Sequence, residues 1–371
     1  MKSSGSASAN RLVPAVEVAR DEPAAGERSE PESTGSVTLL ERVLERANLQ
    51  RALKQVRSNR GAPGIDGMSV DALPSYLKEH WARIRAELVA GRYQPQPVRR
   101  VEIPKPDGRT RPLGIPTVLD RFIQQAIAQV VNEQWEPYFH PRSYGFRPQR
   151  SAHQAVRRLQ ADIRGGKRWV VDLDVEAFFD RVNHDRLMVR LKRHVADVAL
   201  LRLINRYLKA GVCVGEAVQA TTTGVPQGGP LSPVLANVVL DELDWELERR
   251  GHRFARYADD CNIVVASERA GKRVMESVAR FIRDSLRLTV NARKSAVDRP
   301  WKRKFLGFTV SKTGVKLKVA EQAIAKLKDR VRELTRRTRG HRIVDIMSEA
   351  KRHPAWLESV LRDNRGAGPF A

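Results

Sequence analysis

RFARYADDCNIVV (residues 253–265) decides the reading of the chain, because it sets Asp259 and Asp260 side by side between two apolar runs. Two strands joined by a tight turn explain the pattern, with the aspartates at or beside the turn. Aspartate is common in turns, so the pair taken alone reads as a turn pair. A second segment changes the balance. In WVVDLDVEAFF (169–179) the strand period of two sends Val171, Leu173 and Val175 one way and Asp172 and Asp174 the other. Carboxylates gathered among apolar strands destabilise the fold unless something positive compensates them. Two divalent cations would do so. Mg²⁺ takes oxygen ligands and keeps room for substrate phosphates. A pair of ions about 4 Å apart stabilises both the entering and the leaving oxygen of an in-line phosphoryl displacement.

Other segments offer the further parts that such a reaction needs. Lys105 and Arg111 sit on the hairpin IPKPDGRTRPLGI (103–115) and could reach a triphosphate, Arg as a fork and Lys as a point charge. Ordinary hairpin decoration is the alternative. PQGGPLSP (226–233) is a Gly-rich loop whose Gln227 could clamp a nucleotide, or it is a plain strand-to-helix connection. Of Phe178 and Phe179, one belongs in the core and the other could wall a sugar pocket. Lys294, in NARKSAV (291–297), could assist a leaving pyrophosphate or be a surface lysine.

The chain has 371 residues, with 67 Lys and Arg against 43 Asp and Glu, a net charge of +24. That excess predicts a polyanionic partner, since neutralised phosphates release counterions. It is uneven: residues 299–342 hold 15 Lys or Arg and three acidic residues, Glu321, Asp329 and Glu333. A solvated helix face is one reading of this run and a phosphate-tracking surface the other. No apolar run reaches the roughly 20 residues of a spanning helix, so no membrane integration is expected. The two cysteines, Cys213 and Cys261, form no CxxC pair, which disfavours a disulfide framework or a zinc ribbon and makes a reducing cytoplasm the expected location.

Residues 1–36 are rich in Ser, Ala, Glu and Pro and predict a disordered tail. From there the periodicities predict one helix from about Val37, a hairpin over 98–116, helices over 119–135 and 151–164 (Ser151 as N-cap), and a strand running into Phe178. They continue with a helix over 185–210, one over roughly 234–249 with Ser232 as N-cap and Pro233 as N1, the opening hairpin, and a helix over 270–287. Short strands at FLGFTV and VKLKV and a basic amphipathic helix over 320–339 follow. Helices alternating with mostly antiparallel hairpins make this an α+β chain.

Together these segments resemble a bacterial group II intron reverse transcriptase–maturase. The likeness runs in order through RGAPGIDGMSVDALPSYL (60–77), IPKPDGRTRPLGIPTVLDRFIQQA (103–126), YGFRPQRSAHQA (144–155), DLDVEAFFDRVNHDRL (172–187), GVPQGGPLSPVLANVVLDELD (224–244), RYADDCNIVV (256–265) and FLGF (305–308). A lone YADD would be weak; seven blocks in family order are specific. The resemblance implies a right-hand polymerase fold, with fingers and palm over 37–310 and a helical thumb–maturase segment over 311–371. It implies Asp174, Asp259 and Asp260 as ligands of two Mg²⁺ ions, with Mn²⁺ as a substitute, and Asp172 as a neighbour rather than a primary ligand. It implies Lys105 and Arg111 as the grip on the dNTP triphosphate, Gln227 beside the incoming nucleotide, Phe179 as the gate against a 2′-hydroxyl, and Lys294 as a dNTP-site lysine. The implied activity is RNA-directed DNA synthesis. The implied partners are an RNA template, the intron RNA, a DNA primer or target and dNTPs; no oligomeric state follows. The tail KRHPAWLESVLRDNRGAGPFA (351–371) matches the family poorly, so a truncated or altered thumb–maturase domain is expected. A non-catalytic RNA-binding splicing factor and a decayed element are the alternative readings.

Overall fold

The first apolar stripe folds as two helices rather than one. α1 (Leu39–Val43) opens on a capping box between Thr38 and Glu41, and α2 (Arg46–Asn59) restarts after an extended Glu45. The buried Asn48 side chain donates to the Val43 carbonyl (2.9 Å), an acceptor that a continuous helix would have used itself. The structure, a computed structural model, describes residues 37–104, 110–215 and 217–334, with the backbone alone at Arg111, Arg330 and Leu334. The expected disordered tail, and the thumb–maturase segment past residue 334, lie outside the described residues.

α3 (Leu73–Val89) leads to the expected hairpin of β1 (Val98–Pro104) and β2 (Thr110–Ile115). α4 (Val118–Trp135) is apolar on most of its circumference and is buried accordingly. α5 (Ala152–Arg164) starts from Ser151 as N-cap, as expected, and Gln154 completes a capping box with it. β3 (Trp169–Leu173) runs through Asp174 into the single turn α6 (Phe178–Arg181). The one helix expected over 185–210 is two, α7 (His184–Leu191) and α8 (Val198–Leu208). Asp197 divides them: one carboxylate oxygen caps α8 at the Leu200 N–H (3.0 Å) and the other accepts from the Leu40 N–H (2.7 Å).

β4 (Val212–Val214) and β5 (Ala217–Gln219) precede α9 (Ser232–Arg249). Ser232 is not the N-cap: that position is Leu231, because the Ser232 hydroxyl donates to the Pro226 carbonyl (2.6 Å). β6 (Arg253–Tyr257) and β7 (Asp260–Val265) form the opening hairpin. α10 (Glu268–Phe281) ends in one π-helical turn, Ile282–Leu286. β8 (Ala296–Asp298), β9 (Phe308–Val310), β10 (Leu317–Val319) and α11 (Glu321–Leu334) complete the described elements.

The central sheet has the order β6-β7-β3-β8, antiparallel throughout. Its two faces are both covered. Val170, Ala255 and Val264 pack with Ala155, Val156 and Leu159 of α5. Val171, Leu173 and Ile263 join the larger core with residues of α4, α9 and α10. A sheet packed on both sides leaves polar side chains only at its ends, and Asp172, Asp174 and Asp260 stand at one such end. A second sheet, β2-β1-β4-β5, carries the 98–115 hairpin and contains the one parallel pairing among the described strands, β1 with β4.

Candidate active site

The register of β3 on β7 builds the site. Asp172 pairs Asn262 and Leu173 pairs Cys261, so the next step sets Asp174 beside Asp260 on the same face. Like charges opposite each other destabilise a sheet. On the other side of β7, Tyr257 pairs Asp260, which leaves a two-residue turn of Ala258 and Asp259. Ala258 takes a left-handed conformation (φ +57°) that an L-residue other than glycine or asparagine rarely adopts. Asp259 thus lies in the turn and Asp260 on the strand, as the sequence pattern implied.

The backbone of Asp174 is fastened from two sides. Its N–H donates to the Ser295 hydroxyl (3.0 Å), and its carbonyl accepts from the Asn291 N–H (2.8 Å). Its side chain meets Lys294, whose Nζ is 3.3 Å from both carboxylate oxygens and hydrogen-bonded to Oδ1. Oδ2 is shielded from solvent and has no hydrogen-bond partner. Asp172 is held apart from this cluster by Arg303, whose Nε donates to its Oδ2 (2.9 Å), and by Asn262 (3.3 Å). Asp172 is thus partnered by a cation and an amide. Desolvation raises the Asp172 carboxyl above the usual range against the pull of Arg303. Asp260 is open to solvent on one side, yet desolvation at the cleft floor, then repulsion by Asp259, Asp174 and Asp172, push its carboxyl up to about 6. Lys294 only partly offsets this.

Asp172, Asp174 and Asp260 floor an open cleft of about 1040 Å³. Its lining carries seven basic side chains against four acidic ones, so its walls are cationic; Lys302, Lys304 and Lys326 are among them. Trp301 adds an aromatic surface.

The remaining candidates are gathered by the 224–229 loop. Phe178 is the core residue, while Phe179 is half-buried, edge-on to Phe178 at 5.2 Å. The Phe179 carbonyl accepts from the Val225 N–H (2.6 Å). The Gln227 side chain donates to Asp180 Oδ1 (3.2 Å), and its carbonyl accepts from the Gly114 N–H of β2 (2.8 Å). Gly228 (φ +125°) lies so close to β2 that a Cβ there would sit 2.6 Å from the Gly114 oxygen. The loop therefore ties Phe179, Gln227 and the hairpin strand bearing Arg111 into one wall. Lys105 and the Arg111 side chain lie outside the described residues.

A divalent cation fits the chemistry of the floor, since an all-oxygen donor set with a buried carboxylate oxygen that makes no hydrogen bond suits a hard ion. The Lys294 ammonium against Asp174 also shows that the site attracts positive charge. Among the described residues, no three Asp, Glu, His or Cys side chains converge as a formed metal site. Two functional candidates escaped the sequence reading. Arg303 is hidden in a basic run and meets Asp172 across 131 residues. Arg256, in RYADD, is fully buried; a lone arginine within an apolar strand was its only signal.

The profile of the reverse transcriptase (RNA-dependent DNA polymerase) family matches residues 103–310. The group II intron-encoded protein LtrA of Lactococcus lactis subsp. cremoris is 40% identical over 194 residues, 52% of this chain and 32% of LtrA. Protein YkfC of Escherichia coli (strain K12) is 40% identical over 210 residues, 54% of this chain and 55% of YkfC. The chain thus spans about half of one relative and a third of the other. Among solved structures, apo telomerase from Candida tropicalis aligns with a TM-score of 0.50 at 12% identity, covering 67% of this chain and 54% of that one. At that identity the likeness is one of fold.

Proposed function

This chain belongs to the reverse transcriptase (RNA-dependent DNA polymerase) family, and from that premise we propose that it is an RNA-directed DNA polymerase of group II intron type. The observation that supports the reading is the register that sets Asp174 beside Asp260, next to Asp259 in the turn, with Asp174 and Asp260 lining a cationic cleft. In the proposed reaction the 3′-hydroxyl of a DNA primer attacks the α-phosphate of a dNTP, a P–O bond forms, and pyrophosphate leaves. Asp174, Asp259 and Asp260 would hold two Mg²⁺ ions, with Mn²⁺ able to substitute. Bound there, such ions would lower the pKa of the attacking hydroxyl and neutralise charge on the leaving oxygens.

The chain's own residues do the positioning. Lys105 and Arg111 take the triphosphate, and Gln227, fastened to β2 through its carbonyl, lies along the nucleotide. Phe179 stands against the sugar, where it excludes a 2′-hydroxyl. Lys294, held at the floor by Asp174, supports the pyrophosphate charge. The basic cleft wall takes the RNA template and the primer, and the same charge supports binding of an intron RNA for splicing and retrohoming. Among the described residues no helix is long and apolar enough to cross a membrane. The two unpaired thiols favour the cytoplasm. A non-catalytic RNA-binding factor is not favoured, because it has no use for clustered carboxylates.

Primer extension on an RNA template tests the reading, with wild type beside Asp259→Asn. Wild type should extend and the variant should not; equal extension by both would sink it. Phe179→Ala should raise rNTP use relative to dNTP, and unchanged discrimination would remove Phe179 from the sugar pocket.

A further inference from the structure

Arg256 lies on β6, two residues before Ala258, and is 0% exposed. Every one of its five N–H groups is used. Nε donates to Asp244 Oδ1 (2.7 Å), and Nη2 donates to Asp244 Oδ2 (2.6 Å) and to the Ser143 hydroxyl (2.7 Å). Nη1 donates to Asn237 Oδ1 (3.0 Å) and to the Ala258 carbonyl (2.9 Å). Burying an ion pair brings little net stability, and a well-packed apolar pair of the same volume is often as good or better. What an apolar pair cannot do is hold the Ala258 carbonyl, which belongs to the peptide that leads into Asp259.

The other side of the same residue is bounded by Gly145. A Cβ on Gly145 would stand 2.3 Å from the Ala258 nitrogen and 3.0 Å from the Tyr257 carbonyl carbon. Gly145 does not have the left-handed backbone that would by itself demand glycine; the demand comes from the turn. Gly145 is itself located by the same network, since the Asn237 side chain donates to its carbonyl (2.9 Å). Its segment runs beside β6, with the Arg256 N–H on the Arg142 carbonyl (3.0 Å) and the Tyr144 N–H on the Arg256 carbonyl (2.9 Å). Ala258 is thus gripped at its carbonyl and confined at its nitrogen while it holds a left-handed conformation.

We propose that Arg256, oriented by Asp244, Asn237 and Ser143, is a positioning residue that sets the Ala258–Asp259 turn, with Gly145 as its backstop. The network aims Asp259 and Asp260 at Asp174 and touches no substrate. The inference rests on the polymerase reading above, and two assays separate the two. Single-nucleotide extension is run with wild type, Gly145→Ala and Ser143→Ala across Mg²⁺ and dNTP concentrations, with a thermal melt of each protein. Calorimetric titration with Mg²⁺ follows on the same proteins.

Misplacement by an ångström can lower a rate on the order of 100-fold. Gly145→Ala should therefore lower kcat by at least about tenfold and raise the half-saturating Mg²⁺ concentration, with KM for dNTP unchanged. Ser143→Ala should move the same two quantities less. A purely structural role would lower the melting temperature and leave the Mg²⁺ midpoint where it was. A folded Gly145→Ala with wild-type kcat and Mg²⁺ midpoint overturns the proposal. If Gly145→Ala shows no cooperative melt, a Ser143→Ala protein indistinguishable from wild type in both quantities overturns it. Wild type that extends no primer defeats the polymerase reading, and the calorimetry then decides the positioning, which equal Mg²⁺ affinity in wild type and variant would refute.

Discussion

One buried aspartate and one cluster of aspartates in this molecule hold their carboxylates in opposite ways. Asp120, 1% exposed between α4 and its neighbours, is surrounded by neutral donors. It accepts from Tyr93 Oη (2.8 Å), Tyr207 Oη (3.1 Å), Thr117 Oγ1 (2.7 Å) and the Gln96 N–H (3.1 Å). Burial raises its carboxyl, and these bonds pull against the rise. Asp260 is instead set against Asp259 and Asp174, and the Asp174 carboxylate meets the Lys294 ammonium with its buried Oδ2 making no hydrogen bond. The first arrangement is complete within the protein and contributes to folding. The second keeps like charges together at the cleft, an arrangement that a bound cation would relieve.

The largest effect expected from this contrast is on the rate. Asp174→Asn should lower primer extension by more than about 100-fold, beyond the loss typical of residues behind a metal ligand, while the metal-free protein melts no lower than wild type. A large fall in melting temperature with extension intact would reverse the assignment of the two groups. Asp120→Asn should do the opposite. An amide cannot accept from all four donors, so stability should drop by roughly 1–3 kcal/mol with kcat of the folded protein unchanged, read by denaturant unfolding beside single-turnover kinetics. A smaller effect concerns pH. The folded-state carboxyl of Asp260 is raised, so the folded state binds the proton more tightly than the unfolded chain does. The stability it contributes is present below its unfolded value of 3.8 and is lost as pH rises through about 6. Metal-free wild type should accordingly lose melting temperature across that window relative to Asp260→Asn. Added Mg²⁺ should restore it at pH 7. Coincident pH profiles of the two proteins would remove the mutual repulsion from the account.

The same contrast marks what could be read without coordinates. The YADD hairpin was legible because turn chemistry and a period of two are local signals, and the Ser151 N-cap for the same reason. Pattern alone split Phe178 and Phe179 into one core residue and one candidate for a sugar pocket; the resemblance chose Phe179 for the pocket, and α6 turns Phe178 inward. The breaks at Glu45 and at 192–197 were missed because their causes are tertiary: Asn48 takes the Val43 carbonyl, and Asp197 bridges α8 to the start of α1.

Apolar periodicity and turn chemistry thus specified most of the elements and set four aspartates on two apolar segments, and the charge predicted a polyanionic partner, because each depends on residues a few positions apart or on composition; the choice of Asp174, Asp259 and Asp260 among the four came from the resemblance. Which carboxylate is partnered and which is left open depended on contacts across the chain. Arg303 reaches Asp172 over 131 residues, Lys294 reaches Asp174 over 120, and Ser143 meets Arg256 over 113. No local spacing encodes such pairs. They exist because a sheet packed on both faces brings distant segments to one end, and there geometry selects among many basic side chains the few that can reach.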